Sequence, residues 1–350
     1  MQEREETRRL QFTGKSSYIV SLPKQWVMDL GLKQGDQITI TREGKSSLKI
    51  LPAKDQAKSA QIEDAVLEIA RDDNNPSIIR KLVSLYFLGY KTIQIKPKAD
   101  RLLPGQRTAI KSAVKGMLMG AEIISDSVEG ITIQVLVNLL ELSVDGAFKR
   151  MLHLAKSMLR DSLLAVREGN LDLAREVIDS DDEVDRFGFY IIRQLKIAIQ
   201  NEFMLKEMGF TNPRQCLGYR LIVKHIERTG DHAVLISKDL LEFKKKLVRK
   251  EVMEKIDDLC DFAISVLDEA CLALFKEDFA QAERAIEKAS EISKYEKKIL
   301  ESIKSIKDEE EAYRIRRMSE NIIRIAEYAS DIAEIVLNMN IEKMLRRPRF

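Results

Sequence analysis

Glu227-Arg228-Thr229-Gly230-Asp231 and Glu327-Tyr328-Ala329-Ser330-Asp331 are two copies of one acidic step, each setting two carboxylates four residues apart inside an apolar helical pattern. Residues at that spacing share one helix face, and like charges there disfavour an isolated helix. On a core-facing stripe such pairs need either water or a cation. A solvated acidic face is the ordinary reading of one pair, while repetition makes both pairs candidate metal sites.

The repetition extends on either side. An offset of 100 residues superposes Ile222 on Ile322, Val223 on Ile323, Ala233 on Ala333 and Ile236 on Val336. Further upstream the offset is 108, pairing Ile178 with Ile286, Val184 with Ile292, Phe187 with Tyr295, Ile191 with Ile299 and Leu195 with Ile303. Apolar periodicity predicts helices over 147–168, 171–206 and 213–245, then over 251–275, 279–305 and 309–340. Gly169-Asn170 and Asn212-Pro213 separate the first three. The expectation is two tandem three-helix bundles, a duplicated domain with a period longer than the roughly 20 to 50 residues of a solenoid.

Composition suits several separate cores: 350 residues, 45% hydrophobic and 33% charged. No run approaches the ~18 apolar residues of a membrane span, and Met1-Gln2-Glu3-Arg4 does not read as a secretory leader, so the chain is read as cytoplasmic. Cys216, Cys260 and Cys271 form no Cys-x-x-Cys pair, which argues against a disulfide framework or a cysteine zinc site; they read as small buried hydrophobes. A formal net charge of +2 carries no global nucleic-acid signal, and the richness in Lys and Glu hints at a heat-adapted source.

Residues 1–58 are modestly basic, with 11 Lys or Arg against 7 Asp or Glu. Short strands are predicted at Arg9-Leu10-Gln11-Phe12, Ser17 to Leu22, Gln37 to Thr41 and Ser47 to Leu51, with one helical turn from Gln25 to Leu30. Turns at Gly14, Gly31-Leu32, Gly35-Asp36 and Glu43-Gly44 separate them. So small a piece gains a core and loses exposed strand edges by pairing with a second copy, and a homodimer is expected. Trp26 reads as a core anchor. From 59 to 143 the pattern alternates: a strand at Ala65 to Ile69, a helix at Pro76 to Leu88, a strand at Thr92 to Lys96, a helix at Pro104 to Met119, and strands at Ala121 to Ser125 and Gly130 to Gln134. This is a small α/β connector with helices on one sheet, read as a spacer. Gly105-Gln106-Arg107-Thr108 lacks phosphate-loop spacing. The expected domains are thus 1–58, 59–143, the helical repeats 144–245 and 246–342, and a basic tail 343–350.

Gly14-Lys15-Ser16-Ser17-Tyr18-Ile19-Val20-Ser21-Leu22-Pro23-Lys24-Gln25-Trp26, followed by Leu30-Gly31-Leu32-Lys33-Gln34-Gly35-Asp36-Gln37-Ile38, resembles the AbrB/MazE/SpoVT family. That resemblance implies a swapped-hairpin β-barrel interleaved from two chains, with DNA contacts from Arg8, Arg9, Lys15 and Lys24. Some members of the family bind protein instead.

The helical half resembles the PhoU family of phosphate-uptake regulators, through Val177-Ile178-Asp179-Ser180-Asp181-Asp182-Glu183-Val184-Asp185 and His225-Ile226-Glu227-Arg228-Thr229-Gly230-Asp231-His232-Ala233. The resemblance implies metal ions, iron or zinc, held by E/D-x-x-x-D motifs. Asp181 with Asp185, and Glu227 with Asp231, match that motif in the first repeat. Four carboxylates from two antiparallel helices supply hard oxygen ligands, as in other bundle cores. The second repeat keeps Glu327 and Asp331, but Ala289 and Ser293 stand at the positions matching Asp181 and Asp185. Glu287 and Glu291 could substitute, and Asp161 with its counterpart Glu269 are secondary first-helix candidates. His232 reads as a surface or interhelix histidine, whereas His225 and His153 show no partner pattern.

No Gly-x-Ser-x-Gly, His-Glu-x-x-His or catalytic cysteine neighbourhood occurs, so the chain reads as non-enzymatic. What the two resemblances imply is a regulator of phosphate uptake that binds DNA. Two rivals remain. In one the barrel only dimerises while the bundles dock on a phosphate ABC transporter ATPase or signalling partner; in the other the chain is a di-metal enzyme.

Overall fold

The structure is a computed structural model describing residues 6–14, 17–43, 47–52, 64–136, 142–200, 202–243 and 249–345. The chain divides into two compact units, Met1–Gln61 and Ile62–Phe350.

In the first unit, β1 (Gln11–Thr13) pairs antiparallel with β2 (Ser17–Ile19), α1 (Lys24–Asp29) follows, and β3 (Ile38–Glu43) pairs antiparallel with β4 (Ser47–Pro52). The two hairpins form separate two-stranded sheets, so no closed barrel forms within one chain among the described residues. Gly35 adopts φ 95°, and the Lys33 amide donates to Asp36 Oδ2 at 2.8 Å, which explains the Gly-Asp pair before β3. Trp26 is half-buried. The unit leaves Leu10, Phe12, Tyr18, Met28, Ile40 and Leu48 between 57% and 68% exposed. Side chains this apolar at this exposure are of the kind that interaction surfaces carry.

The second unit opens on the connector, whose elements fall within a few residues of the expected ones. They are β5 (Asp64–Ile69), α2 (Asn75–Phe87), β6 (Thr92–Pro97), α3 (Pro104–Met117), β7 (Ala121–Ser127) and β8 (Gly130–Val135). Sheet order is β5-β6-β8-β7, with β5 parallel to β6 and the other pairs antiparallel. Ile78, Leu82 and Tyr86 of α2 and Ile110 and Val114 of α3 share one buried core with Ile93, Ile95, Ile131 and Ile133 of the sheet. Each helix starts on a sequence signal. Asn74 Oδ1 accepts the Ser77 amide at 2.9 Å ahead of Pro76, and Pro104 opens α3. Buried Gln106 donates to the Ala70 carbonyl at 3.0 Å and fastens α3 to the loop after β5.

The helical part runs α4 (Val144–Glu168), α5 (Leu171–Ala198), α6 (Glu202–Glu207) and α7 (Pro213–Phe243), then α8 (Lys250–Lys276), α9 (Phe279–Ala289), α10 (Ile292–Ile303) and α11 (Glu309–Asn340). Gly169 ends α4 in the left-handed region at φ 70°, and Asn170 caps α5 by accepting the Leu173 amide at 3.0 Å. Two expected helices are divided. The stretch expected as one helix over 171–206 ends at Ala198, with α6 separate. The stretch expected over 279–305 breaks at Ser290-Glu291, where the Ser290 hydroxyl donates to the Glu287 carbonyl at 2.6 Å and competes with the helical ladder. One continuous apolar core joins both repeats and contains all three cysteines, free and buried. No helix among the described residues is long and apolar enough to cross a membrane. The expected basic tail falls mostly outside the described residues.

Candidate metal centre

Asp181 and Asp185 lie one turn apart on α5, and Glu227 and Asp231 one turn apart on α7, the helix packed against it. The helices approach closely at Gly230, where an added Cβ would stand 3.2 Å from Asp181 Oδ1 and 3.6 Å from Val184 Cγ1. A glycine in mid-helix costs about 1 kcal/mol relative to alanine, and here it leaves room for a carboxylate. Asp181 Oδ1 is buried with no hydrogen-bond partner. Burial pushes the Asp181 carboxyl up to about 6, reinforced by the charges of Asp231, Asp182 and Glu227. Burial likewise pushes Asp185 up to about 7, with Glu227, Asp181 and Asp231 adding to it. The four carboxylates are therefore close enough to repel one another. Lys224 forms an ion pair with Glu227, whose side chain is 18% exposed, and Asp231 is exposed.

Among the described residues no group of three or more His, Cys, Asp or Glu side chains converges closely enough to hold an ion as it stands. The donors are nevertheless of the type that a hard cation takes, all carboxylate oxygen, with one buried oxygen lacking any hydrogen-bond donor.

The second repeat differs. The break between α9 and α10 falls on the residues matching Asp181 to Asp185. Glu327 is exposed and paired with Arg324 at 2.6 Å, and Glu291 pairs with Lys294 at 3.3 Å. Glu287 is exposed, Glu269 is engaged by Lys288 at 3.2 Å, and Asp161 is half-buried on α4. Asp331 is exposed, its Oδ2 3.9 Å from His225 Nδ1, so His225 has the acidic neighbour that its sequence context does not reveal. Burial lowers the His225 pKa, Asp331 opposes that, and Arg228 adds to it.

The same side chains reveal how the repeats meet. Helix α7 runs antiparallel to α11: Asp239 pairs with Arg317 at 2.8 Å, His232 Nδ1 lies 2.7 Å from Asn321 Oδ1 and its Nε2 3.2 Å from the Tyr328 hydroxyl, and Gly218 packs on Met339. Given the 100-residue offset, this register places Arg228 and Tyr328 near an approximate twofold axis, with the guanidinium 5.7 Å from the ring centre. His232 is thus interhelix, as expected, and His153 is exposed.

Arg193 is a residue that sequence reasoning missed. Only 4% exposed, it donates from α5 to the carbonyls of Tyr86, Gly89 and Tyr90, the latter two at 3.0 Å, and so binds the connector to the bundle. The signal was an arginine inside the apolar run Tyr190-Ile191-Ile192-Arg193-Gln194-Leu195. In the first unit Arg8 pairs with Glu6, Arg9 is exposed ahead of β1, and Lys24 opens α1; Lys15 lies outside the described residues.

A duplicated helical bundle with an acidic seam between its second and third helices, preceded by a small strand-rich unit, defines a two-module architecture. Residues 148–240 and 256–336 each match the PhoU domain, and residues 11–58 match "Antidote-toxin recognition MazE, bacterial antitoxin". The chain belongs to the PhoU family and carries a MazE-like module at its N-terminal end. It is 26% identical over 151 residues to "Phosphate-specific transport system accessory protein PhoU homolog 1" of Thermotoga maritima, across 43% of this chain and 63% of that relative's length. Similar solved structures are the phosphate transport system regulatory protein PhoU from Streptococcus pneumoniae, with 19% identity, coverage of 59% of this chain and 96% of that one, and TM-score 0.45, and PhoU from Pseudomonas aeruginosa, with 16%, 57%, 96% and 0.49.

Proposed function

We propose that this chain regulates phosphate uptake as a cytoplasmic, non-enzymatic DNA-binding protein with a metal-binding sensor. The observation that carries the reading is the joining of a MazE-like module to two PhoU domains in one chain. The exposed apolar side chains of the first unit support a homodimer in which the hairpins of two copies close one barrel. Arg8, Arg9, Lys15 and Lys24 then contact DNA, guanidinium groups bidentately and ammonium groups as point charges. Residues 59–143 act as spacer between reader and sensor.

In the sensor, Asp181, Asp185, Glu227 and Asp231 would hold iron or zinc. A bound cation would supply positive charge that relieves their mutual repulsion. Asp181 offers its orphaned Oδ1, and the small Gly230 keeps that oxygen accessible between the helices. In a second reading the barrel only dimerises and the bundles dock on a phosphate ABC transporter ATPase or signalling protein; what favours it is that the relative is a transport-system accessory protein and that the N-terminal match is to a toxin-recognition domain.

Titration of labelled promoter DNA at increasing salt separates the two. The first reading predicts that log K falls with log salt, and that Arg8→Ala with Arg9→Ala makes the slope shallower by about 0.9 for each phosphate left unneutralised. Salt-insensitive or absent DNA affinity in the dimer overturns it in favour of the second.

A further inference from the structure

The acidic seam of the first repeat is not evenly charged. Its carboxylates fall into two rows across α5 and α7, Asp181 with Asp231 and Asp185 with Glu227. After burial, the strongest influence on Asp181 is the charge of Asp231, and on Asp185 that of Glu227. Gly230 stands at the first row, where Asp181 Oδ1 is buried without a partner. The second row already holds a cation of the protein's own. Lys224, one turn before Glu227 on α7, forms an ion pair with it, and the same ammonium opposes the rise of the Asp185 pKa from across the helix contact. Other nearby cations engage the seam less closely. Lys238 opposes the rise at Asp181 but forms no ion pair with it among the described residues. Arg228 lies over the Tyr328 ring, the charge of Arg186 acts on Tyr86, and Arg220 is exposed a further turn away.

The second repeat has the same cation without the same neighbour. Arg324, at the position matching Lys224, pairs with Glu327, but Ser293 stands where the first repeat has Asp185. A basic residue three positions before the glutamate is therefore common to both copies, and only in the first does it also adjoin a buried carboxyl.

We infer that Lys224 is the resident counter-ion of the seam and sets its metal affinity, because a metal ion that takes Glu227 and Asp185 as ligands has to displace the ammonium first. The inference rests on the metal-binding reading above. An ammonium is a single charge on a flexible stem, and with its side chain 42% exposed Lys224 can swing out to water. A monovalent ion gains little by replacing one single charge with another, whereas a divalent ion brings the second charge that the row leaves unneutralised. Lys224 thus acts as a threshold that favours multivalent cations over monovalent ones.

Full-length protein stripped with a chelator and titrated with zinc against a chromogenic competitor provides the test. Lys224→Met keeps the stem and removes the charge, and should bind zinc at least about fivefold more tightly than the parent, with the gap narrowing as salt rises. Lys224→Arg retains the charge and should bind zinc no more tightly than the parent, while Arg324→Met should leave the affinity unchanged. Helical circular dichroism should be the same in every variant. Parent-like affinity in Lys224→Met, or an equal gain in Lys224→Arg or Arg324→Met, overturns the inference and leaves the metal reading standing. Absence of zinc binding from the parent and Lys224→Met alike overturns both.

Discussion

The two PhoU repeats superpose in their apolar positions and part company in their acidic ones. In the first, α5 is continuous through Asp181 and Asp185, Gly230 opens the seam, and four carboxylates repel one another. In the second, the equivalent helix breaks at that level, Glu269 and Glu291 are each held by a nearby Lys, and Glu327 pairs with Arg324 as Glu227 pairs with Lys224 at the matching position. A duplicated scaffold therefore keeps its core by burying the same periodic residues, while the two carboxyls that burial and mutual repulsion push up, Asp181 and Asp185, both stand in the first copy. Unrelieved like charge destabilises a fold, so its retention at one place is more informative than its loss at the other.

The largest expected difference between the copies is structural. Arg193→Met leaves three backbone carbonyls without their donor and should destabilise the second unit by about 3 kcal/mol in urea titration. Glu301→Met, at the matching exposed position, should stay within about 0.5 kcal/mol. Similar losses from both would mean that Arg193 does not anchor the connector.

Next in size is the pH response of the metal-free protein. The folded state raises Asp181 to about 6 and Asp185 to about 7 from a usual value of 3.8, so it holds those protons more tightly than the unfolded chain. Their stabilising contribution is complete below about pH 4 and is lost as pH rises through 6 to 7. Melting in the presence of a chelator should show this decline, and Asp185→Asn should flatten it, whereas Asp331→Asn should leave it in place. A slope unchanged by Asp185→Asn would break the contrast.

The smallest effect belongs to the exposed pair. Glu327→Gln removes a solvent-screened ion pair with Arg324 and should leave the urea midpoint unchanged within the error of the titration.

Much of this organisation was legible in the sequence, because burial imposes period on helices and strands alike. The strands of the connector and the Gly169-Asn170 and Asn212-Pro213 boundaries follow from such local signals. The break at Ser290 was hidden, because Ile286, Ile292, Tyr295, Ile299 and Ile303 continue an apolar series across it. The paired carboxylates were visible as i,i+4 steps, but their unequal environments were not, since the burial of Asp181 and Asp185 and the contact of Lys288 with Glu269 depend on how separate helices pack. His225 lacked a visible partner because Asp331 lies in the other repeat. Arg193 stood out inside an apolar run, but its carbonyl partners, a hundred residues away, were illegible for the same reason. The barrel was read from a resemblance, and among the described residues the strands form two separate hairpins.

Metal content of the purified protein, with and without the first-repeat carboxylates, tests the central claim most directly. The variant Asp181→Asn, Asp185→Asn, Glu227→Gln, Asp231→Asn should lose bound metal and the metal-dependent rise in melting temperature while keeping its helicity, because the amides preserve volume and remove only charge. Glu327→Gln with Asp331→Asn should retain both. Equal loss from the two variants, or undiminished metal in the first, would contradict a cation site confined to the first repeat.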